Sequence, residues 1–494
     1  MSEKYGKVWL VGAGPGDPGL LTLRGREVLE AANVVVFDRL VGDGILSFIS
    51  EHAEKINAGK EGGRHPVPQA EIESILIREA SAGKNVVRLK GGDPFLFGRG
   101  GEEIEALNAH GIRYEVVPGI TSAIAAPSAA GIPVTHRGLA ASLHIITAHT
   151  KEGGIADTDY ESLAKLGGTL VFLMGASSVP EICRTLLAKG MSPDTPVAAV
   201  ENGTMAAQRR LEAPLRDFED TCAKARLQSP SVIVVGAVAA LGETFDWKRF
   251  LPLAGLRVLV TRPRGRSDKL SRMLRDKGAE VVELPCIATK TTSTILPDLS
   301  DAKWVGFTSA TGVKSFFELL EKHGRDVREI NGAKIAAIGE VTARELRSRG
   351  LKVNFVPDVY DGVNLAKGLA EIADGSKIAL LRAKDGSREL TEYLSDCGAD
   401  FIEIPVYETS YESGFFTPSG IDAALFTSAS TVRGFAALCP VAEVGHACCI
   451  GRQTAEAAKH AGFRNIRVAE KATLESLIKT LEGVEHDNQT KETA

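Results

Sequence analysis

Residues 8–23 read VWLVGAGPGDPGLLTL, an apolar run that breaks into a turn packed with glycine and proline. How that turn is read decides the fold. A dinucleotide-binding turn requires G-x-G-x-x-G after the strand, the last glycine letting helix and strand pack closely. Gly12 and Gly14 fill the first two places, but the third is Asp17. Pro15 and Pro18 each remove a backbone amide that would cradle a pyrophosphate. Asp38, which closes the next apolar run VVVFD, stands where a ribose-binding acid would, yet the broken glycine pattern argues against NAD(P). A loop holding another ligand close to its backbone fits better.

Outward from this turn, apolar runs rich in Val and Ile recur at 7–11, 33–37, 85–89, 143–148, 168–174 and 231–236. Each has the length of a buried strand, and the intervening segments have helical period, so the chain reads as α/β throughout. Its 494 residues exceed one core and suggest about three or four folding units. Apolar residues make up 44% and charged residues 24%, and the formal charge of −5 comes with no basic tract, which excludes a nucleic-acid partner. No apolar stretch reaches the ~18 residues of a membrane span, and the polar start carries no signal peptide, so a cytoplasmic protein is expected. The seven cysteines show no Cys-x-x-Cys pair and read as buried reduced thiols, with no metal site.

A second glycine cluster lies at 86–103, VVRLKGGDPFLFGRGGEE. Gly91 and Gly92 would let a ligand press against the main chain, and Asp93 beside them can accept from a ribose or hold a cation. In VVPGITSAIAAPSAAGIPVTHRG, Gly119 ends a strand and Thr121 and Ser122 open a small-residue helix. Hydroxyls and free amides there suit a carboxylate or an adenine edge.

The second half contains an internal echo. VGFTSATGVKSFFELL at 305–320 returns as ALFTSASTVRGFAAL at 424–438, and KIAAIGEVTARELRSRG at 334–350 as ACCIGRQTAEAAKHAG at 447–462. Two similar α/β lobes account for it.

The set VGAGPGDPGLLTLRG, VVVFDRLV, GKEGGRHPVPQAEI, RLKGGDPFLFGRGGEE, VVPGITSA and GIPVTHR closely resembles the uroporphyrinogen-III C-methyltransferase family, in the expected order from Val8 to about Val238. The resemblance implies the two-lobed tetrapyrrole methylase fold, S-adenosylmethionine (SAM) as co-substrate without a metal, and a homodimer through this half. It implies SAM contacts at Pro15, Gly91, Gly92, Asp93, Leu96, Thr121, Ser122, Met174 and Gly203. Asp38 matches the family's proposed base and Lys60 its proposed proton donor; out of context they would be a capping Asp and a solvated Lys. Arg39, Arg64, His65, His136 and Arg137 are cations suited to a substrate with eight carboxylates. Glu61 stands where a basic residue is expected, and TAH at 147–149 where Thr-Gly-His is more usual.

From Leu256 the chain resembles uroporphyrinogen-III synthase through RVLVTRP, FTSATGV, AIGEVTAREL, IPVYET, FTSASTV and IGRQTAEAA. That implies two flavodoxin-like lobes that close hydroxymethylbilane into uroporphyrinogen III, with Tyr407 as the acid that assists loss of water. Thr308, Ser309, Thr342, Thr427, Ser428 and Thr454 fall at strand-to-helix turns and are expected to bind carboxylates. The expected organisation is 1–245 methyltransferase, 246–255 linker, 256–483 synthase and 484–494 polar tail. The synthase lobes would be 256–288 with 411–483, and 289–410. Together the halves would cyclise hydroxymethylbilane and methylate uroporphyrinogen III at C-2 and C-7 to precorrin-2, towards sirohaem or cobalamin. The competing expectation is a methylase of a later corrin intermediate joined to a non-catalytic tetrapyrrole-binding module.

Overall fold

The computed structural model describes residues 5–59, 67–148, 155–263, 268–411 and 417–484. In the first lobe β1 (Lys7–Gly12), β2 (Val34–Phe37), β3 (Glu54–Asn57), β4 (Val86–Lys90) and β5 (Arg113–Val117) form a parallel sheet in the order β3-β2-β4-β1-β5. Its central strands are runs of Val and Leu because helices cover both faces. Since β4 is threaded back between β2 and β1, the carboxyl ends of β4, β1 and β5 are neighbours, and the loops leaving them meet. The second lobe contains β6 (Leu143–Thr147), β7 (Thr169–Leu173), β8 (Pro196–Glu201), β9 (Arg209–Pro214) and β10 (Ser231–Val235). Their order is β6-β7-β10-β8-β9, with β10 antiparallel to both neighbours.

The third sheet holds β11 (Arg257–Val260) and β12 (Glu280–Glu283), and the fourth β13 (Ile287–Thr291), β14 (Trp304–Phe307), β15 (Lys334–Ala337), β16 (Ile378–Ala383) and β17 (Phe401–Tyr411). The chain then returns to the third sheet with β18 (Ile421–Phe426), β19 (Val444–Cys449) and β20 (Ile466–Val468). The third order, β12-β11-β18-β19-β20, is the flavodoxin-like 2-1-3-4-5. Counted from β14, the fourth has the same order, its last place taken by the antiparallel edge strand β13.

The two sheets are also circular permutants of each other. With β14 set on β18 and β15 on β19, β16 and β17 fall on β11 and β12. The sequences follow: GADFIEIPVYET at 398–409 matches GAEVVELPCIAT at 278–289. The echo in the sequence is therefore half of a longer repeat whose other half is displaced by the permutation.

Residues 246–255 touch both halves, although Phe250 there is 73% exposed. The Trp247 indole donates to the Ser128 carbonyl at 3.1 Å, while Leu253 is 3% exposed within the core of the third sheet. Six cysteines are buried and Cys397 is exposed. Burial pushes the Cys183 thiol up to about 11, and those of Cys222 and Cys449 up to about 12, so these act as small apolar residues. Among the described residues no helix is long and apolar enough to cross a membrane.

Candidate active site

Three glycine-bearing loops meet at the carboxyl ends of β1, β4 and β5. Gly14 and Gly92 exchange both backbone hydrogen bonds, at 3.1 and 2.8 Å, and the Ala13 amide donates to the Lys90 carbonyl. The amides of Ala13 and Gly14 are thus consumed by the neighbouring strand end and do not face a pyrophosphate. A Cβ on Gly119 would overlap the Gly92 carbonyl oxygen, and one on Gly12 would lie 2.5 Å from Gly119 Cα. Only hydrogen at those positions lets the loops touch. Asp93 braces the junction: its Oδ1 accepts from the Phe95 amide at 2.8 Å and its Oδ2 from the Gly119 amide at 3.0 Å. Both oxygens expected to meet a ribose are engaged with the backbone.

Thr121 caps the helix Ser122–Ala129 by accepting from the Ala123 amide, and its Cα and the Ser122 amide lie 4.0 Å from where a Gly92 Cβ would stand. Gly203 presses on Ala126 of that helix, and Met205 on Gly16 of the first turn. Pro15, Gly91, Gly92, Asp93, Thr121, Ser122 and Gly203 are therefore brought together at one junction, where Leu96 packs against the second lobe's core. Met174 lies at the tip of β7, next to Leu173, which shares a core with Ala123 and Ala126 of the helix Ser122–Ala129; it is 49% exposed and left-handed at φ 59°. Phe97, Arg99, Asn202 and Thr204 share that conformation on the surrounding loops, a grouping of backbone strain expected where a ligand is clamped.

Asp38 ends β2 beside this junction. Its Oδ1 pairs with Arg88 Nη2 at 2.6 Å, and Oδ2 has no partner among the described residues. Arg88 and Lys90 alternate on β4, and both reach Glu103 Oε1 of the helix Gly100–Ala109, at 3.0 and 2.7 Å. The side chains of Arg88, Lys90 and Glu103 are 3%, 4% and 0% exposed, against 32% for Asp38. Two cations and two anions thus balance in a buried chain whose single exposed end is Asp38. Burial pulls the Lys90 ammonium below its usual range, helped by Arg88 and opposed by Glu103. Nothing in the motif reading singled out Arg88, Lys90 or Glu103; the signal was two cations alternating along a strand otherwise made of Val and Leu.

Arg39, His136 and Arg137 are exposed, and His136 Nδ1 lies 2.9 Å from the Arg137 carbonyl. Lys60, Glu61, Arg64, His65 and His149 lie outside the described residues.

In the second half, Ser309 and Ser428 cap the helices Ala310–Lys322 and Ala429–Leu438, accepting from the amides of Gly312 and Thr431. Thr308 and Thr427 precede them, half-buried at strand ends. Tyr407 on β17 lies with its hydroxyl 3.1 Å from Ser309 Oγ. Thr342 and Thr454 are 3% and 4% exposed, turned inward under the first turns of Glu340–Ser348 and Arg452–His460. Their hydroxyls do not line a cleft; the orphan amides of those first turns are the donors left for a carboxylate.

Residues 7–219 match the tetrapyrrole (corrin/porphyrin) methylases, and residues 268–479 match uroporphyrinogen-III synthase HemD. The chain is 43% identical to the porphyrin biosynthesis protein HemD of Ruminiclostridium josui, over 97% of this chain and 98% of that protein. The chain belongs to this two-part tetrapyrrole-enzyme family. It is also 42% identical to a uroporphyrinogen-III C-methyltransferase of Bacillus subtilis, over 72% of this chain and 75% of that one. An S-adenosyl-L-methionine-dependent uroporphyrinogen III methyltransferase of Methanosarcina barkeri is 49% identical, across 50% of this chain and 98% of its own length. The glycine junction thus lies in the methylase half, and the Ser309–Tyr407 pair in the synthase half. Among the described residues no group of His, Cys, Asp and Glu is placed to hold a metal ion.

Proposed function

We propose that the synthase half closes linear hydroxymethylbilane into uroporphyrinogen III, and that the methylase half methylates this macrocycle twice with SAM, at C-2 and C-7, towards sirohaem. The observation that carries this reading is the end-to-end likeness to one relative, with Asp38 fixed at the mouth of the glycine junction. The junction fits a folded co-substrate, because a Cβ on Gly92 would meet nothing nearer than 4.0 Å, while Gly12 and Gly119 draw the loops into contact beside that open space. SAM would be held by Pro15, Gly91–Gly92, Leu96, Thr121–Ser122, Met174 and Gly203, and it supplies an activated methyl group. The chain's own task is to align a pyrrole carbon with that group and to take up the proton the ring then sheds. Arg88 fixes Asp38 through Oδ1, which leaves Oδ2 to accept that proton. Arg39, His136 and Arg137 would meet the macrocycle's carboxylates.

In the synthase half the Tyr407 hydroxyl would donate its proton to the departing hydroxyl of hydroxymethylbilane, so that the C–O bond breaks and water leaves. Ser309, 3.1 Å away, orients that hydroxyl. Carboxylates would rest on the helix starts after Thr308 and Thr427. We infer a cytoplasmic homodimer formed through the methylase half, supported by its exposed Ile120, Ile124, Leu139 and Phe245. Incubation of uroporphyrinogen III with SAM and the full chain tests the methylase reading by mass: two added methyl groups are expected, and an unchanged macrocycle would contradict it.

A further inference from the structure

Charged groups cross the seam between the two halves, and they end on methylase loops. Arg257, the first residue of β11, reaches across the seam to place Nη2 2.6 Å from Asp43 Oδ2. Glu280, the first residue of β12, lies opposite Arg257 in the strand pair, and its Oε1 is 3.1 Å from Arg257 Nε. Its Oε2 accepts from the Ala206 amide of the methylase half at 2.7 Å. Asp43 opens the short helix Asp43–Leu46, five residues after Asp38, and Gly44 there packs directly on Val281 of β12. Ala206 follows Asn202, Gly203 and Thr204, the turn with two left-handed non-glycine residues. Lys248 adds a third hold, donating from Nζ to Gln208 Oε1, the oxygen that also accepts from the Thr204 amide.

The permuted repeat supplies an internal control. The residues equivalent to Arg257 and Glu280 in the other lobe are Lys377 and Asp400. Lys377 pairs within its own lobe, with Asp301 at 2.6 Å, and Asp400 is exposed. The Glu280 side chain is only 8% exposed, and burial pushes its carboxyl above the usual range, opposed by Arg257 and by the Ala206 amide. Beyond its pair with Arg257 in its own lobe, this buried carboxylate accepts from the Ala206 amide across the seam, a contact its counterpart Asp400 does not make.

We propose that Glu280 and Arg257 are positioning residues for methyl transfer: the synthase half holds the turn that carries Gly203 through Glu280, and the loop that carries Asp38 through the Arg257–Asp43 pair. This rests on the reading of Gly203 as a SAM contact and Asp38 as the base. Because the two arms grip different loops, they have different kinetic signatures. In the full chain, Glu280→Ala removes the acceptor for the Ala206 amide and is expected to raise the KM for SAM about tenfold with little change in kcat, since a hydrogen bond to a charged group is lost. Glu280→Gln keeps an acceptor oxygen and is expected to recover most of that loss. Asp43→Ala, on the methylase side of the seam, is expected to lower methyl-transfer kcat about fivefold with the KM for SAM unchanged, through looser placement of the base. Ring closure of hydroxymethylbilane by the same preparations reports whether the synthase half is folded. Unchanged SAM KM in Glu280→Ala together with unchanged kcat in Asp43→Ala would overturn the proposal. A uniform loss of both activities in both alanine variants, not recovered by Glu280→Gln, would overturn it too, since the seam would then serve only stability. Failure of the underlying reading looks different: the unaltered chain would bind no SAM and add no methyl groups.

Discussion

The glycine junction of the methylase half and the capped helix starts of the synthase half both lie at the carboxyl ends of parallel strands, yet they are made of opposite materials. In the first, side chains are removed: Gly12, Gly92 and Gly119 bring three loops into backbone contact, and strained residues surround them. In the second, side chains are supplied: Ser309 and Ser428 cap paired helices, with Tyr407 added on one side only, where the permuted repeat has Ile287. The difference follows from the chemistry proposed for each half. Methyl transfer needs one small co-substrate held in line with one carbon, which rigid backbone achieves. Ring closure needs a long polyanion folded, which repeated helix starts can do, and a single acid, for which symmetry has to be broken.

This contrast can be broken at several depths. The largest expected effect is at Asp38: Asp38→Asn should slow methylation of supplied uroporphyrinogen III by ~10³-fold while ring closure is untouched. Steady-state rates of the two reactions on one preparation check it. Next, Gly119→Ala forces a methyl group against the Gly92 carbonyl and should destabilise the methylase half by about 3 kcal/mol, read by denaturant unfolding. Tyr407→Phe should slow ring closure about tenfold and leave methylation of supplied macrocycle unchanged, because only an acid is removed. The smallest effect sharpens the comparison. At Gly312 in the synthase half a Cβ would meet nothing nearer than 3.4 Å, and the position is helical, so Gly312→Ala should move stability by less than about 1 kcal/mol. A loss there comparable to that at Gly119 would mean the two sites are not built differently after all.

The α/β alternation was legible in the sequence because strands buried on both faces are nearly pure Val, Ile and Leu whether parallel or antiparallel, and the runs at 7–11 and 231–236 became β1 and β10 within a residue. The glycine clusters were legible as a place of close approach. The brace made by Asp93 was not, because its bonds to the amides of Phe95 and Gly119 depend on how the fold brings the loops together. The burial of Thr342 and Thr454 was not legible for a related reason, since a residue in a helix's first turn faces inward or outward according to packing that the motif does not encode. The Arg257–Asp43 pair joins residues 214 apart and leaves no local pattern at all. The permuted half of the repeat was present in the letters but out of order. Only the sheet order shows which strands to compare.

The most direct test of two catalysts acting in series is to give the full chain hydroxymethylbilane with and without SAM, and to identify the oxidised products by isomer-resolving chromatography and mass. The account predicts unmethylated uroporphyrinogen III without SAM and the same macrocycle with two added methyl groups when SAM is present. Formation of the type I isomer alone, or of a type III product that gains no methyl group with SAM, would contradict it.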